Sequence, residues 1–293
     1  MKSIGFVGLG KMGLPMARHL AAAGYRVTCF DPVAERLALA EQAGMTAAPS
    51  LAELLSASEV IISSIPNDDA LTSTVAAVRR HAQRGAIYLD TSTVSLDASE
   101  SAAIELADAG IAYVRCAVSG NNHMAESAQL TALVSGDPHA YERVAELIGC
   151  WGPTRYYLGA GEQARLMKLV LNLMVMQTAG MLAEGLALGR KGGLAWDDMW
   201  QVIGGSALGS PIVKAKAGPL SRRDFTPTFT VEQMQKDVGL IMAAGKSLQV
   251  PLSLTALCAQ WLASAAARGD LNEDYATVIK VVEAAAGLDP AHA

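Results

Sequence analysis

Aromatic residues are scarce in this chain, 5 % of 293 positions. A core must therefore be packed from Ala, Leu, Val and Met, and hydrophobic residues do make up 51 % of the sequence. Cysteine is scarce as well. Cys29, Cys116, Cys150 and Cys258 are scattered, with no C-x-x-C pair and no His/Cys cluster. That spacing argues against a disulfide framework and a structural metal, so no metal is expected, and it fits a reducing compartment. There is no polybasic run. The 23 basic and 28 acidic residues leave a net charge of −5, which disfavours nucleic acid and anionic membranes as partners. Nothing ahead of the first strand-like run reads as a signal peptide, and a cytoplasmic location is expected. One uncharged run, Leu169–Ala183, invites a membrane reading. It is shorter than the roughly twenty residues a span requires. Lys168 and Glu184 bracket it, and Asn172 and Gln177 interrupt it. A helix apolar all round is expected instead to be buried between domains or subunits.

What the chain does have begins at once. Residues 2–13 read KSIGFVGLGKMG and run into LPMARHLAAAG. An apolar strand pattern (Ile4, Phe6, Val7) leads into Gly8-x-Gly10-x-x-Gly13 and then a helix-like stretch, the context in which this spacing marks a dinucleotide-binding turn. Gly8 permits the tight turn, Gly10 lets the backbone approach a pyrophosphate, and Gly13 lets helix and strand pack closely. The helix N-terminus adds free N–H groups and a partial positive charge. Gly8, Leu9, Gly10, Lys11, Met12 and Gly13 are therefore expected to bind the cofactor. A second strand, Tyr25–Phe30, ends at Asp31, within the usual distance of roughly twenty residues for a carboxylate that accepts from a ribose 2′-hydroxyl. Such a carboxylate repels a 2′-phosphate, so NAD is preferred over NADP. Arg36 reads as a surface charge on the following helix.

Further strand and helix signals alternate to about residue 160. Gly24 closes the first helix. Ser50-x-x-Glu53 opens a short one as a capping box. Val60–Ser64, Ala86–Leu89, Tyr113–Val118 and Leu130–Val134 read as strands. This alternation predicts an α/β fold, a Rossmann-type doubly wound and mostly parallel sheet, with ligands beyond the C-terminal strand ends. The composition then shifts. Residues 162–189 read as one long helix. Val231–Leu248, Leu252–Arg268 and Tyr275–Ala285 read as others, while Gly192-Gly193, Gly204-Gly205 and Pro211 read as punctuation. The expected organisation is a dinucleotide-binding domain over 1–161 and an all-helical substrate and dimerisation domain over 162–293.

A hydride-transferring cofactor leaves the protein to move a proton and orient the substrate. The five histidines offer little: His19 and His81 fall on helix faces, His139 begins a helix, and His292 lies in the tail. His123 remains open as a substrate contact. Lys168 is the better candidate, a cation within the apolar LMKLVLNLMVM stretch. Burial lowers a lysine pKa and tunes it for proton exchange near neutrality. Asn172, four residues on, shares its helical face. The residues alone leave open a lysine that snorkels from a helix end beside a hydrogen-bonded asparagine. Lys236-Asp237, read without context, is a solvated helix face.

Together these segments resemble the β-hydroxyacid dehydrogenase family, which includes 3-hydroxyisobutyrate dehydrogenases and tartronate semialdehyde reductases. GFVGLGKMGLPMA is similar to the family's opening signature, and IPND to a loop whose backbone, here Ile65 and Pro66, contacts the cofactor. LDTSTV resembles the segment whose hydroxyl residue, here Thr93, lies near the nicotinamide. VSGNN resembles the substrate-binding segment, here Ser119, Gly120 and Asn121. GAGEQARLMKLVLN resembles the helix carrying a catalytic lysine and an asparagine, here Lys168 and Asn172. DFTPTFTVEQMQKD resembles a segment that closes over the site with Phe229, Lys236 and Asp237. The resemblance implies hydride transfer between NAD, or NADP, and a small 3-hydroxy acid, with Lys168 as general acid and base.

Three departures stand out. The family's D-A-P-V-S-G-G is here Arg115-Cys116-Ala117-Val118-Ser119-Gly120-Asn121, with Asn121 expected to project near the substrate. The stretch from Gly161 to Lys168 is longer than usual by nearly one helical turn. An imine reductase on the same scaffold is a rival reading, but such relatives generally replace the lysine. A non-catalytic binding module is another, but Lys168, Asn172, Ser119 and Lys236 are all retained. The apolar 169–183 helix predicts a homodimer or a dimer-based tetramer.

Overall fold

The computed structural model describes residues 3–289, so His292 lies outside the described residues. The chain divides into two compact units, Met1–Lys168 and Leu169–Ala293. The division falls inside the long helix, whose first turns belong with the first unit.

The first unit runs β1 (Ser3–Val7), α1 (Gly13–Ala22), β2 (Arg26–Phe30), α2 (Ala34–Gln42), β3 (Thr46–Ala47), α3 (Leu51–Ala57), β4 (Val60–Ser63) and α4 (Asp68–His81). It continues with β5 (Ile87–Asp90), α5 (Leu96–Asp108), β6 (Ala112–Ser119), α6 (Asn122–Glu126), β7 (Thr131–Gly136), α7 (Pro138–Gly149), β8 (Thr154–Tyr157) and the start of α8 (Gln163–Lys191). The eight strands order as β3-β2-β1-β4-β5-β6-β7-β8. Strands β1 to β6 are parallel, β7 runs against β6, and β8 is parallel to β7. The doubly wound sheet expected from the alternation is there, with a reversed pair added at one edge. Strand β8 gave no sequence signal because it is an exposed edge without apolar periodicity.

Local chemistry sets these elements. Strands VIIS and IYLD are buried throughout, and read as apolar runs because both sheet faces are covered. Ser50 Oγ accepts the Glu53 N–H at 3.2 Å, the N-cap half of the expected capping box, while Glu53 Oε1 accepts from the Ser50 hydroxyl at 3.1 Å in place of its backbone N–H. Gly24, at φ +88°, follows α1 in the left-handed conformation that a side chain resists.

One polar row crosses this apolar sheet in register. Ser63 lies opposite Asp90, Asp90 opposite Arg115, and Arg115 opposite Ser135. All four are buried. The order of strands reverses between β1 and β4, the switch point beyond which such sheets bind ligands.

The second unit is helical: the rest of α8, then α9 (Trp196–Gly205), α10 (Pro211–Ser221), α11 (Val231–Ser247), α12 (Ser253–Ala267), a 3₁₀ turn Tyr275–Thr277 and α13 (Val278–Ala285). The residues read as punctuation bound two helices that the sequence did not disclose. Gly204-Gly205 close α9, while Pro211 opens α10, where a missing N–H costs nothing. Helix α8 is not buried all round. Met176, Ala179, Leu182, Ala183 and Leu186 enter the core of this unit, while Val170, Met174, Met181 and Leu188 are exposed. Among the described residues α8 is the helix long and apolar enough, by length and composition, to cross a membrane, and 39 % of its apolar window is buried.

Candidate functional site

The residues singled out in the first unit gather at one end of the sheet. Gly8, Asp31 and Thr91 directly follow the parallel strands β1, β2 and β5, Ser119 ends β6, and Ile65 lies two residues past the end of β4. The glycine turn is built as the fingerprint requires. A methyl on Gly8 would meet Ser64 O at 2.3 Å, and one on Gly13 would meet Gly8 O at 2.0 Å. These two glycines let β1, the β4 loop and α1 close together. At Gly10 a methyl would meet no protein atom within 4 Å, so its missing side chain leaves open space, and no side chain caps α1. Open space before an uncapped helix N-terminus fits a dinucleotide's phosphates. Lys11 is exposed, Met12 half-buried and Leu9 buried beneath the turn.

Asp31 is almost fully buried, and its Oδ2 accepts the Leu9 N–H at 2.7 Å. Its Oδ1 accepts the Val33 N–H at 2.9 Å. The carboxylate thus fixes the glycine loop as well as marking the end of β2. Arg36 is more than a surface charge: its Nη1 lies 3.4 Å from Asp31 Oδ2.

Asp90 organises the next two loops. Its Oδ1 accepts from Ser63 Oγ at 2.7 Å, from Ser92 Oγ at 2.6 Å and from the Ser92 N–H at 3.2 Å. Ser92 Oγ in turn accepts the Ile65 N–H at 3.0 Å. One buried carboxylate therefore holds both the Ile65-Pro66 loop and the Thr91–Thr93 loop. Its charge is met by Arg165, which sequence reasoning passed over. Arg165 on α8 is 1 % exposed. It pairs with Asp90 Oδ2, donates to Ser92 O, and donates to the Tyr113 hydroxyl at 3.0 Å. Burial works against the Arg165 charge, yet Tyr113 and Asp90 more than offset it and raise its pKa above the ordinary guanidinium value. Burial also pushes Tyr88 and Tyr113 up, keeping both as neutral hydroxyls. A signal existed: a carboxylate ending an otherwise apolar, buried strand demands a cation.

Two of the three departures explain each other. Arg115 on β6 is buried, stacks over Tyr113 at 4.6 Å, and pairs with Glu162 just before α8. The substituted Arg115 thus has its counter-ion in the lengthened stretch. The third departure, Asn121, is an N-cap. Its Oδ1 accepts the Met124 N–H at 3.0 Å, opening α6. Gly120, at φ +139°, makes the turn before it. His123, taken as part of a loop, is exposed on α6.

Lys168 is half-buried on α8, one turn beyond Arg165. In the second unit, Asn172 is 8 % exposed and its Nδ2 donates to Asp237. Lys236 Nζ lies 2.9 Å from the other Asp237 oxygen. Asp237 is buried, which corrects the reading of Lys236-Asp237 as a solvated face. Phe229 is half-buried and meets Tyr275 edge-on with centroids 6.3 Å apart.

Comparison with known proteins bears on the fold and the family. Residues 3–159 match the family model described as the NAD binding domain of 6-phosphogluconate dehydrogenase. Residues 159–282 match the model for the NAD-binding of NADP-dependent 3-hydroxyisobutyrate dehydrogenase. The chain is 33 % identical to 2-(hydroxymethyl)glutarate dehydrogenase of Eubacterium barkeri, over 97 % of this chain and 96 % of that one. It is 28 % identical to glyoxylate/succinic semialdehyde reductase 2 of Arabidopsis thaliana, over 97 % and 80 %. A solved 3-hydroxyisobutyrate dehydrogenase from Mycobacterium tuberculosis, in a structure with L-serine, superposes with a TM-score of 0.89 at 26 % identity, covering 96 % and 99 %.

Proposed function

The chain belongs to the NAD(P)-binding hydroxyacid dehydrogenase family of the 3-hydroxyisobutyrate type, and from that premise we propose that it interconverts a small 3-hydroxy acid and its aldehyde acid with Lys168 as the proton carrier. As a family member it is an oxidoreductase acting on CH–OH with a nicotinamide dinucleotide. When bound, the nicotinamide accepts or returns the hydride. The protein's residues do the rest. The turn Gly8, Leu9, Gly10, Lys11, Met12 and Gly13 receives the phosphates, and Asp31 the ribose. Ile65, Pro66, Thr93, Phe229 and Lys236 complete the cofactor's surroundings. Ser119, Gly120 and Asn121 hold the substrate carboxylate, and Asn172 fixes its orientation. In oxidation, neutral Lys168 takes the hydroxyl proton as the C–H pair leaves as hydride, and a carbonyl forms. In reduction the protonated amine returns that proton to the oxygen.

The observation that carries this reading is the attachment of α8. Arg165, three residues before Lys168, donates to Ser92 O, next to Thr93. The amine's helix is thereby tied to the strand end on which a nicotinamide is expected. NAD is the preferred cofactor, because the Asp31 carboxylate at the end of β2 disfavours a 2′-phosphate. The cytoplasm is the proposed location.

The test is nicotinamide absorbance with NAD and NADP against 3-hydroxyisobutyrate, 2-(hydroxymethyl)glutarate, succinic semialdehyde and cyclic imines. Lys168→Met should lower kcat by about 10²- to 10⁴-fold while NADH binding changes little. An undiminished rate in that variant overturns the reading. Turnover of imines alone points to an imine reductase, and cofactor binding without any turnover to a binding module.

A homodimer or dimer-based tetramer is proposed from α8, whose exposed Val170, Met174, Met181 and Leu188 recur at helical spacing. Light scattering should give at least twice the 30.5 kDa chain mass. A monomer at micromolar concentration contradicts it.

A further inference from the structure

The start of α8 is fastened to three adjacent strands through the polar row of the sheet. Arg165 reaches Asp90 on β5, Glu162 reaches Arg115 on β6, and Ser135 on β7 binds on both sides of Glu162. Ser135 Oγ donates to Gly161 O at 2.7 Å and accepts the Ala164 N–H at 3.1 Å. The charges alternate: the sheet offers an acid where the helix offers a base, and the reverse one strand over. A helix slipped by one residue would lose these pairings together.

Arg165 differs from the other fasteners in where its bonds lead. Its guanidinium contacts Asp90 and Ser92 O directly, and Asp90 holds Ser92, whose Oγ holds the Ile65 N–H. The residue three before Lys168 is thus continuous, through hydrogen bonds that are buried as far as Ser92, with the Ile65-Pro66 and Thr91–Thr93 loops. Helix positions three apart share a face, so fixing Arg165 fixes both the rotation and the height of Lys168.

We propose that Arg165 and Asp90 form a positioning pair that sets the proton-carrying amine of Lys168 in register with the two strand-end loops. The inference rests on the assignment of Lys168 above. It makes Arg165 a positioning residue and not a catalytic one: it is 1 % exposed and acts through Asp90 and Ser92.

The pair is tested in the full chain with Arg165→Lys, Arg165→Gln and the neutral double variant Asp90→Asn/Arg165→Gln. Arg165→Gln leaves a buried carboxylate without its cation. The double variant avoids that, and Arg165→Lys keeps the charge but not the planar fork of bonds. Four readouts are taken: kcat and KM for 3-hydroxyisobutyrate, or for whichever acid the panel gives, the pH profile of kcat, NADH affinity by fluorescence, and amide hydrogen exchange over residues 162–168. Displacement of a reacting group by about an ångström costs on the order of 10²-fold. The double variant should therefore lose at least about 30-fold in kcat, with KM and NADH affinity within about 3-fold of wild type. Its pH profile should move, exchange over 162–168 should rise, and Arg165→Lys should fall between it and wild type. A folded double variant or Arg165→Lys with wild-type kcat and pH profile overturns the proposal. So does a kcat loss matched by an equal loss of NADH affinity, which would mean that the pair only builds the cofactor loops. A double variant that does not fold leaves Arg165→Lys to decide by the same criteria. An Arg165→Lys that also fails to fold, although its charge is kept, makes the pair a fold determinant and overturns the proposal. If wild type turns over no hydroxy acid, the hydroxy-acid reading has failed. The 162–168 exchange and the NADH affinity then still score the pair.

Discussion

Gly10 and Gly13 sit in the same turn, yet a methyl group would meet open space at one and a backbone oxygen at 2.0 Å at the other. The two positions thus separate binding from folding. Gly10→Ala should leave thermal stability within about 0.5 kcal/mol of wild type. It should nonetheless weaken NADH binding by at least about tenfold, since the methyl occupies the space a pyrophosphate approaches. Gly13→Ala should destabilise by about 1–3 kcal/mol, because α1 must move away from Gly8. Thermal melts and NADH fluorescence titrations on both variants check this, and similar binding losses with similar melts would refute the division. At this scale the sequence disclosed much, because glycines at fixed spacing and a lysine in an apolar run are visible one residue at a time. Arg165 was not disclosed. Its meaning lies in Asp90, 75 residues away, and no local pattern connects the two.

At the scale of elements, the same limit separates what was legible from what was not. Central strands announced themselves because burial on both faces forces apolar runs. Strand β8, an exposed edge, carried no such constraint. Helices α9 and α10 were hidden because their Gly and Pro mark helix ends as readily as loops. The docking of α8 on β6 was hidden for a further reason: Arg115 and Glu162 look like two unrelated departures until they are seen paired. They should behave as one feature. Truncating either to Ala leaves the other charge partly buried, so each single variant should cost about 2–3 kcal/mol. The double variant should cost less than the sum, with a coupling of about 1–2 kcal/mol. A double-mutant cycle from urea melts measures it, and simple additivity would show that the pair contributes nothing to holding the helix. Arg115→Asp, which restores the aspartate of the resembling family, should be worse than Arg115→Ala because it sets a carboxylate against Glu162.

For the whole molecule, the scarcity that opened the sequence has a measurable consequence at alkaline pH. The buried thiols have few polar neighbours to stabilise a thiolate. Burial pushes Cys29 up to about 12, and burial, reduced by Arg165 and reinforced by Asp90, pushes Cys116 up to about 12 as well. In the unfolded chain both lose their protons near the ordinary thiol value of 9.0. Between these limits the folded protein retains protons that the unfolded chain has released, so stability must fall as pH rises. Below pH 9 both states keep the thiol proton and these groups add no slope. From about pH 9 to 12 each contributes a loss of about 1.4 kcal/mol per pH unit. Tyr88 and Tyr113, raised by burial, add to the decline above pH 10. Cys29→Ala isolates one group, since Cys29 packs against Met45, with its Sγ 3.7 Å from the thioether sulfur. The variant should be less stable at pH 7 because it leaves a cavity. Its stability should nevertheless fall less steeply between pH 9 and 11, by about 1.4 kcal/mol per pH unit. Denaturant melts across that range, under reducing conditions, read both quantities. Parallel stability curves for the two proteins would mean that the Cys29 thiol ionises in the folded state as it does in water.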